Sequence, residues 1–287
     1  MKDGKDGNDG RDGRDDVCAV VLAAGEGRRL RPLTSSTPKA LCPVGNVALL
    51  DRAIGRVAAL GFDAPHRLAV NACYLGEQVV AHVGERAHLS VEPGEPLGTA
   101  GGLGNLKPWI DGRGVLAANA DAYLADGDVR QLLDGWDGST VRLLGVPGPP
   151  NEFGTYRFAG MSLLPWDLVE QLEAMPADLV RTTWRPAERA GRLEVIPFGG
   201  TYLDTGTPKD YLAANLHAAG EGSLIDPTAT VRGRVQRAVI GAGARIDGSL
   251  TRSVVWAGGA VEAGEHLVDA IRVGRDLTVS VTATMSP

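Results

Sequence analysis

Four basic residues follow a glycine-containing turn near the start of the chain. The turn comes directly after Val17–Leu22, an apolar run rich in valine that predicts a buried strand of a parallel sheet. Glycine lets the backbone approach a ligand closely, so that N–H groups can face phosphate oxygens. A strand, a glycine turn and then cations predict a triphosphate site at the carboxyl end of the strand. The cations are Arg28, Arg29, Arg31 and Lys39.

This turn differs from two common phosphate-binding motifs. No Gly-Lys-Ser/Thr closes it, as a Walker loop requires, and Gly25-Glu26-Gly27 lacks the third glycine of the dinucleotide fingerprint. A structural alternative stays open at this point, in which a plain glycine turn lies beside solvated arginines.

Two acidic residues are further candidates for chemistry. Asp121 ends the apolar stretch that starts at Val115, and the carboxyl end of a parallel strand is where such sheets bind ligands. Magnesium usually takes one or two protein carboxylates and completes its shell with phosphate and water oxygens, so Asp121 suits a magnesium ligand. Asp204 follows an alternating apolar strand. Helix capping by Thr207 with Pro208 explains the Gly-Thr-Pro that comes next, but it does not explain this acid.

A second glycine-rich loop covers residues 92–103. Small residues let backbone groups reach the flat edge of a nucleobase without interference from side chains. The alternative is a helix N-terminus at Thr99 that needs small residues for packing, and both interpretations can hold together.

Alternating strands and helices must position these residues. Apolar spacing and glycine stops predict them, and their order is typical of an α/β fold with a doubly wound, mostly parallel, Rossmann-like sheet. The predicted helices cover residues 49–60, 77–83, 166–175 and 184–192, and the predicted strands cover 17–22, 67–71, 115–121 and 140–146.

The chain changes character after Gly220. Residues 225–231 recur at 240–246 and 255–261, with starts fifteen residues apart and aliphatic residues six apart. Aliphatic residues at this spacing with small residues between them predict a short left-handed parallel β-helix. The Asp-Gly-rich start has nothing apolar to bury after Met1. We therefore predict a disordered tail over residues 1–16, a catalytic domain over 17–219 and a β-helix domain over 220–287.

Composition narrows the class of protein. A net charge of −6 argues against a broad nucleic-acid surface, and no apolar run approaches the ~20 residues of a membrane span. The three cysteines lack motif spacing, which favours reduced thiols. The start of the chain carries no apolar signal core. We expect a cytoplasmic protein without nucleic-acid or membrane partners.

The motifs together resemble the sugar-1-phosphate nucleotidyltransferases. Residues 22–34 and 38–44 are similar to that family's signature, and residues 202–211 are similar to its acidic Gly-Thr-Pro segment. The loop 97–102 and the C-terminal repeats resemble those of mannose-1-phosphate guanylyltransferases. The resemblance implies transfer of a nucleotidyl group from an NTP, with GTP preferred, to a sugar 1-phosphate, together with Mg²⁺ and a homo-oligomer formed through the β-helix.

The resemblance also implies a role for individual residues. Arg29, Lys39 and Asp121 would be catalytic, and Asp121 and Asp204 would hold the metal. The nucleotide would contact Leu22, Ala23, Ala24, Gly25, Gly27, Glu92, Gly98 and Thr99. The sugar phosphate would contact Asn119, Gly154, Gly160 and Arg157.

One part of the family pattern is missing. No Glu-Lys-Pro follows the strand that ends at Val146, so the lysine that contacts the sugar phosphate has no counterpart, and Arg157 or Arg185 would replace it. The alternatives are a uridylyl-, thymidylyl- or cytidylyltransferase for another phosphorylated substrate, or a non-catalytic homologue that senses a sugar nucleotide. An acyltransferase is a further alternative, but His266 is the only histidine in the repeats.

Overall fold

The computed structural model describes residues 16–281. The predicted disordered tail lies outside this range except for Asp16, whose carbonyl accepts a hydrogen bond from Gly114 N at 2.8 Å.

Short strands and helices alternate as far as residue 219. The strands are β1 (Val17–Leu22), β2 (Pro43–Val44), β3 (Val47–Ala48), β4 (Leu68–Ala72), β5 (His88–Val91), β6 (Gly114–Asn119), β7 (Ala122–Ala125), β8 (Val141–Pro147), β9 (Tyr156–Leu164), β10 (Leu193–Pro197) and β11 (Thr201–Asp204). The helices are α1 (Leu49–Ala58), α2 (Gly76–Val83), α3 (Gly98–Ile110), α4 (Trp166–Val169), α5 (Arg185–Arg189) and α6 (Pro208–Ala219).

Seven strands form a central sheet in the order β10-β8-β9-β6-β1-β4-β5. Every neighbouring pair is parallel except those of β9, which runs antiparallel to β6 and β8. Strand β1 is apolar on both faces, because Val17, Ala19 and Val21 belong to one buried cluster, whereas Cys18 and Val20 belong to another. The prediction of a doubly wound, mostly parallel sheet is confirmed.

Two predicted helices differ from the structure. The helix predicted over residues 166–175 ends at Val169, and an irregular segment follows. Side chains added at Gly101 and Gly104 of α3 would collide with the carbonyl oxygens of Met175 and Glu173, so this segment packs directly on the glycines of α3. Apolar spacing cannot detect such a backbone contact, and for that reason the prediction was too long. The helix predicted over 184–192 is present as α5 but ends earlier, at Arg189, and a π-helical turn, Val180–Trp184, leads directly into it.

Short strands follow α6 and stack in parallel ladders. Ile225, Ile240 and Val255 pair in one ladder, and Val231, Ile246 and Val261 pair in a second. The fifteen-residue repeat is confirmed for these positions, while Leu250 pairs with Leu267 after a longer step. These strands are β12 (Leu224–Ile225), β13 (Thr230–Val231), β14 (Arg234–Gln236), β15 (Val239–Ile240), β16 (Arg245–Ile246), β17 (Ser249–Thr251), β18 (Val254–Val255), β19 (Ala260–Val261), β20 (His266–Val268), β21 (Ala270–Val273) and β22 (Leu277–Ser280).

We call the part from β12 to β22 the C-terminal coils. Each turn of the chain adds one strand to each of three ladders, and β22 closes the last turn by pairing antiparallel with β21. The inward residues Ile240, Ile246, Val255 and Val261 are fully buried. Because these inward residues are buried against the neighbouring coils, the stack depends on repetition for this inner core.

No helix within residues 16–281 has the length and apolar character that crossing a membrane would need.

Candidate active site

A cavity of about 370 Å³ lies at the carboxyl ends of β1, β4 and β6. Strand register places Leu22, the last residue of β1, beside Asn71 on one side and Asn119 on the other. The cavity brings together most of the residues predicted from the sequence. They are Leu22, Ala23, Ala24, Gly25, Gly27, Arg29, Lys39, Gly98, Thr99, Asn119 and Asp121.

The Lys39 ammonium lies between two carboxylates in this cavity. Its Nζ is 2.6 Å from Asp121 Oδ2 and 3.8 Å from Asp204 Oδ1, and Arg29 Nη2 is 3.5 Å from Asp204 Oδ2. The Lys39 side chain is only 9% exposed, whereas the side chains of Asp121 and Asp204 are 40% and 44% exposed. The cluster therefore joins a buried cation to two acids that remain open to an incoming ligand.

The strand pair β7–β11 brings the two acids together. Asp204 pairs with Ala122 in antiparallel register, which places Asp204 next to Asp121 although the two are far apart in sequence. Thr205 Oγ1 donates to the Asp121 carbonyl at 2.7 Å and fixes this crossing. A side chain at Gly206 would begin 2.7 Å from Arg29 Nη2 and 3.0 Å from Asp204 Oδ1, so glycine here leaves room for the Arg29–Asp204 pair.

A chain of buried hydrogen bonds joins the two loops that line the cavity. Ala23 N donates to Asn71 Oδ1 at 2.7 Å, and Asn71 Nδ2 donates to Glu92 Oε1 at 2.7 Å. Glu92 Oε2 accepts from Leu97 N at 2.7 Å, so one carboxylate holds the glycine-rich loop to the first turn. Burial raises the pKa of the Glu92 carboxyl, against the opposing effect of these hydrogen bonds. Glu92 thus holds together the two loops that line the cavity and does not itself line it.

The N-terminus of α3 also packs on the irregular segment that follows α4. Ala100 N donates to the Ala177 carbonyl at 3.1 Å, and Thr99 Oγ1 accepts from Leu179 N at 2.9 Å. The structural interpretation of the small residues in this loop is therefore confirmed. Gly98 and Thr99 line the cavity at the same time, so the packing role leaves the predicted nucleotide contact possible.

The residues predicted to contact the sugar phosphate are more scattered. Gly160 packs against Ala122, and a side chain on it would begin 3.9 Å from Asn119 Cβ. Gly154 lies in an exposed turn and does not line the cavity. The Arg157 guanidinium lies 5.1 Å from the ring centre of Tyr202. Burial, together with the charges of Asp204 and Asp121, raises the pKa of Tyr202, which lies near these acids.

The structure distinguishes the two arginines that could replace the missing lysine. Arg185 Nη1 is 2.7 Å from Glu188 Oε2, and its Nη2 donates to the Glu152 carbonyl at 2.6 Å. Arg185 therefore already has partners away from the cavity. Arg157 lies over the ring of Tyr202, which is two residues before Asp204 on β11.

Three residues of the site escaped the sequence analysis: Asn71, Thr205 and Gly206. Asn71 lies within the strand predicted over 67–71, and a buried polar residue at the carboxyl end of a strand next to β1 was a usable signal. The roles of Thr205 and Gly206 depend on the pairing of β11 with β7, and no local pattern reveals that pairing.

The two carboxylates fit a magnesium ion. Mg²⁺ prefers oxygen ligands and typically takes one or two carboxylates with phosphates and waters. Asp121 and Asp204 both contact the Lys39 ammonium, which shows that one cation can lie close to both acids.

Comparison with known proteins agrees with this geometry. The family described as "MobA-like NTP transferase domain" matches residues 19–190, more than half of the chain. A mannose-1-phosphate guanylyltransferase of Mycobacterium tuberculosis is 33% identical over 147 residues, covering 48% of this chain and 40% of that protein. An N-acetylmuramate alpha-1-phosphate uridylyltransferase of Neisseria meningitidis is 35% identical over 109 residues, covering 36% of this chain and 46% of that protein. The chain thus spans less than half the length of each of these two relatives.

A solved structure shares the fold. A Bacillus anthracis protein described as a glucose-1-phosphate thymidylyltransferase superposes with a TM-score of 0.59 at 18% identity, covering 70% of this chain and 95% of that one.

The Asn71 hydrogen bonds predict a measurable contribution to stability. Asn71→Ala leaves Ala23 N and one Glu92 oxygen without their partner in a buried place, and we expect a loss of about 1–3 kcal/mol in the free energy of unfolding. Urea denaturation measures it. Asn105→Ala is the matched control, because this half-buried amide of α3 makes a single bond, to Ser90 Oγ at 3.0 Å. Equal losses in the two variants would contradict a special role for Asn71.

Proposed function

The chain belongs to the family of MobA-like NTP transferase domains, and we propose that it transfers a nucleotidyl group from an NTP to a sugar 1-phosphate, releasing pyrophosphate. The observation that carries the proposal is the cluster of Arg29 and Lys39 with two carboxylates, beside a glycine turn at the carboxyl edge of the sheet. Cys18, Cys42 and Cys73 are free thiols, which supports a reducing, cytoplasmic location.

The proposed reaction needs positioning and charge more than proton transfer. The nucleophile is an oxygen of the sugar phosphate, which is already ionised near pH 7, so no general base is required. In-line displacement at phosphorus then depends on holding the two substrates and neutralising the charge that moves. Backbone N–H groups of residues 24–27 would hold the triphosphate. Arg29 and Lys39 would stabilise charge on the transferring phosphoryl group and on pyrophosphate.

The sugar phosphate would lie on the side of the cavity formed by β6 and β9. Asn119 lines this side, and the buried Gly160 of β9 lies near it, packed against Ala122. We propose that Arg157 replaces the missing lysine, since it lies over the ring of Tyr202 in β11 and Arg185 is engaged elsewhere. Gly154 would contribute to sugar-phosphate binding through the conformation of its turn.

The base is proposed to be guanine. The loop 97–102 resembles that of guanylyltransferases, and one relative carries that name, although another is named a uridylyltransferase. Guanine offers donors at N1 and N2, where uracil has only N3–H. A site built for one pattern of donors leaves groups unpaired with the other base.

The expected outcome is a kcat/KM for GTP that exceeds that for UTP, dTTP, CTP and ATP by ~10-fold or more, from one mismatched buried hydrogen bond. Pyrophosphate release measures it, with mannose 1-phosphate, glucose 1-phosphate and N-acetylmuramate 1-phosphate as acceptors and with sugar-free reactions as controls. A clear preference for UTP or dTTP would contradict guanine as the base, while the proposed reaction class would still stand. If every pair of NTP and sugar phosphate binds without turnover, the alternative of a non-catalytic homologue that senses a sugar nucleotide is favoured.

Asp121 and Asp204 are proposed to hold Mg²⁺, which when bound neutralises phosphate charge between the two substrates. Asp121→Asn and Asp204→Asn should each remove most magnesium-dependent turnover, because an amide replaces the charged ligand. Initial rates over a magnesium titration test this. Asp126→Asn is the control, since this exposed acid lies near His217 and not in the cavity. Full activity in either variant would remove that residue from the metal site.

The two adjacent arginines are expected to differ. Arg29→Ala should lower kcat by on the order of 10²-fold, as when a preorganised charge facing the transition state is deleted. Arg28→Ala should be mild, because the exposed Arg28 guanidinium is already paired with Glu26, with Nη2 to Oε1 at 2.8 Å. Steady-state kinetics of both variants decides this. An essential Arg28 with a dispensable Arg29 would show that the assignment is shifted by one residue.

We also propose that the C-terminal coils form a left-handed β-helix, as a domain over residues 220–287, and that two copies of the chain associate through its first coil. Leu224, Ile225 and Val231 are 37%, 42% and 36% exposed at the open end, whereas Ile240 and Ile246 one coil later are fully buried. An uncovered apolar edge of this kind favours association with a partner.

Sedimentation velocity tests the association. Ile225→Lys places a charge in the proposed contact and should shift the protein to a smaller species. Val268→Lys is the control, because Val268 is exposed on β20 in a later coil. An unchanged sedimentation coefficient for Ile225→Lys would exclude this interface.

A further inference from the structure

A buried relay of hydrogen bonds joins the C-terminal coils to the segment that carries Lys39. Trp256 donates from Nε1 to Tyr211 Oη at 3.0 Å, and Tyr211 Oη donates to the Pro43 carbonyl. Tyr211 of α6 is fully buried, and Trp256 is nearly so. Pro43 follows Lys39 by one short turn of chain. One hydroxyl group therefore links the coils to the backbone next to the cation.

The turn between β2 and β3, which comes directly after Pro43 and Val44, has partners on both sides. Gly45 N donates to Asn215 Oδ1 of α6 at 3.0 Å, and Asn46 Nδ2 donates to the Ile240 carbonyl in the coils at 2.9 Å. These contacts satisfy polar groups of the turn that its own two-stranded pair, β2–β3, leaves free. The position of the turn is thus set by α6 and by the coils.

Apolar packing follows the same connection. One buried cluster contains residues next to Arg29 and residues just after Lys39, together with residues of the coils. Its members include Leu30, Leu33, Cys42 and Val44 from the cation-bearing segments and Val239, Val254, Trp256 and Ile271 from the coils. The cation-bearing segments and the coils therefore belong to one buried cluster, in which Tyr211 and Leu212 of α6 also take part.

We propose that Tyr211 is a positioning residue for Lys39 and that Trp256 acts through it, so that the C-terminal coils help to set the geometry of the active site. Without the hydroxyl, the Pro43 carbonyl and Trp256 Nε1 lose their partner in a buried place, and the turn moves to regain hydrogen bonds. Lys39 moves with it, and a displacement of about 1 Å in a catalytic group can cost up to ~10²-fold in rate. The proposal rests on the proposed role of Lys39.

A double-mutant cycle on the full-length chain tests the proposal. Tyr211→Phe should lower kcat by about tenfold and change the KM for the NTP by less than about threefold, because Lys39 acts mainly on charge that develops in the transition state. In the Lys39→Ala background the same substitution should have little further effect, because the group that it positions is absent. Trp256→Phe should act in the same direction, more weakly, and supplies the comparison if Tyr211→Phe does not fold.

Leu250→Val is the matched control, since Leu250 is buried inside the coils and outside the relay. It should lower Tm and leave kcat within about twofold. Equal kcat losses in Leu250→Val and Tyr211→Phe at equal loss of Tm, or an undiminished effect of Tyr211→Phe without Lys39, would overturn the proposal.

Hydrogen exchange gives a readout that does not depend on activity. Tyr211→Phe should speed amide exchange in residues 40–46 and leave β4 unchanged, whereas unchanged exchange in 40–46 contradicts the relay whatever the kinetics. If Lys39→Ala instead has wild-type turnover, the proposed role of Lys39 is wrong. The hydrogen-exchange experiment would then be the remaining test of the relay.

Discussion

The pairing of the Lys39 ammonium with two carboxylates is the interaction on which the rest of the structure depends. An ammonium group that is almost fully buried is costly to leave unpaired, and Asp121 and Asp204 supply the opposing charge. Both acids remain partly exposed, so the cluster can take up further charged groups. To form it, the fold must bring together the segment just before β2, the end of β6 and the end of β11, which are distant in sequence.

The central sheet solves most of this problem by register. Parallel pairing of β1 with β4 and β6 places Leu22, Asn71 and Asn119 side by side, and the loops that follow these strands enclose the cavity. The buried bonds from Ala23 through Asn71 and Glu92 then hold the two glycine-rich loops at a fixed separation. Since glycine loops have no side chains with which to brace themselves, their geometry has to come from neighbours of this kind.

The remaining part is solved by α6 and the C-terminal coils. Helix α6 begins shortly after Asp204, and its Tyr211 and Asn215 hold the turn that follows Lys39. The resemblance seen in the sequence implied that the coils serve to form a homo-oligomer. In the structure their Trp256 bonds to Tyr211, and their apolar residues share one buried cluster with α6 and the cation-bearing segments. The coils therefore lie within the same packed unit as the active site.

Local patterns in the sequence determined β1 and the glycine-containing turn that follows it, the capped start of α6 at Thr207, and the fifteen-residue repeat of the coils. Each of these depends on residues close together in the chain, through apolar alternation, glycine conformation and a single capping hydroxyl. The sequence also identified the residues around Lys39, but only as members of a motif and without their contacts. Tertiary structure alone decided that Lys39 lies between Asp121 and Asp204, that Asn71 braces the first turn, that the segment after Val169 leaves the helix to pack on α3, and that Tyr211 joins the coils to Pro43. These features arise from strand pairing and side-chain contact between segments separated by tens to hundreds of residues, and no local pattern encodes such contacts.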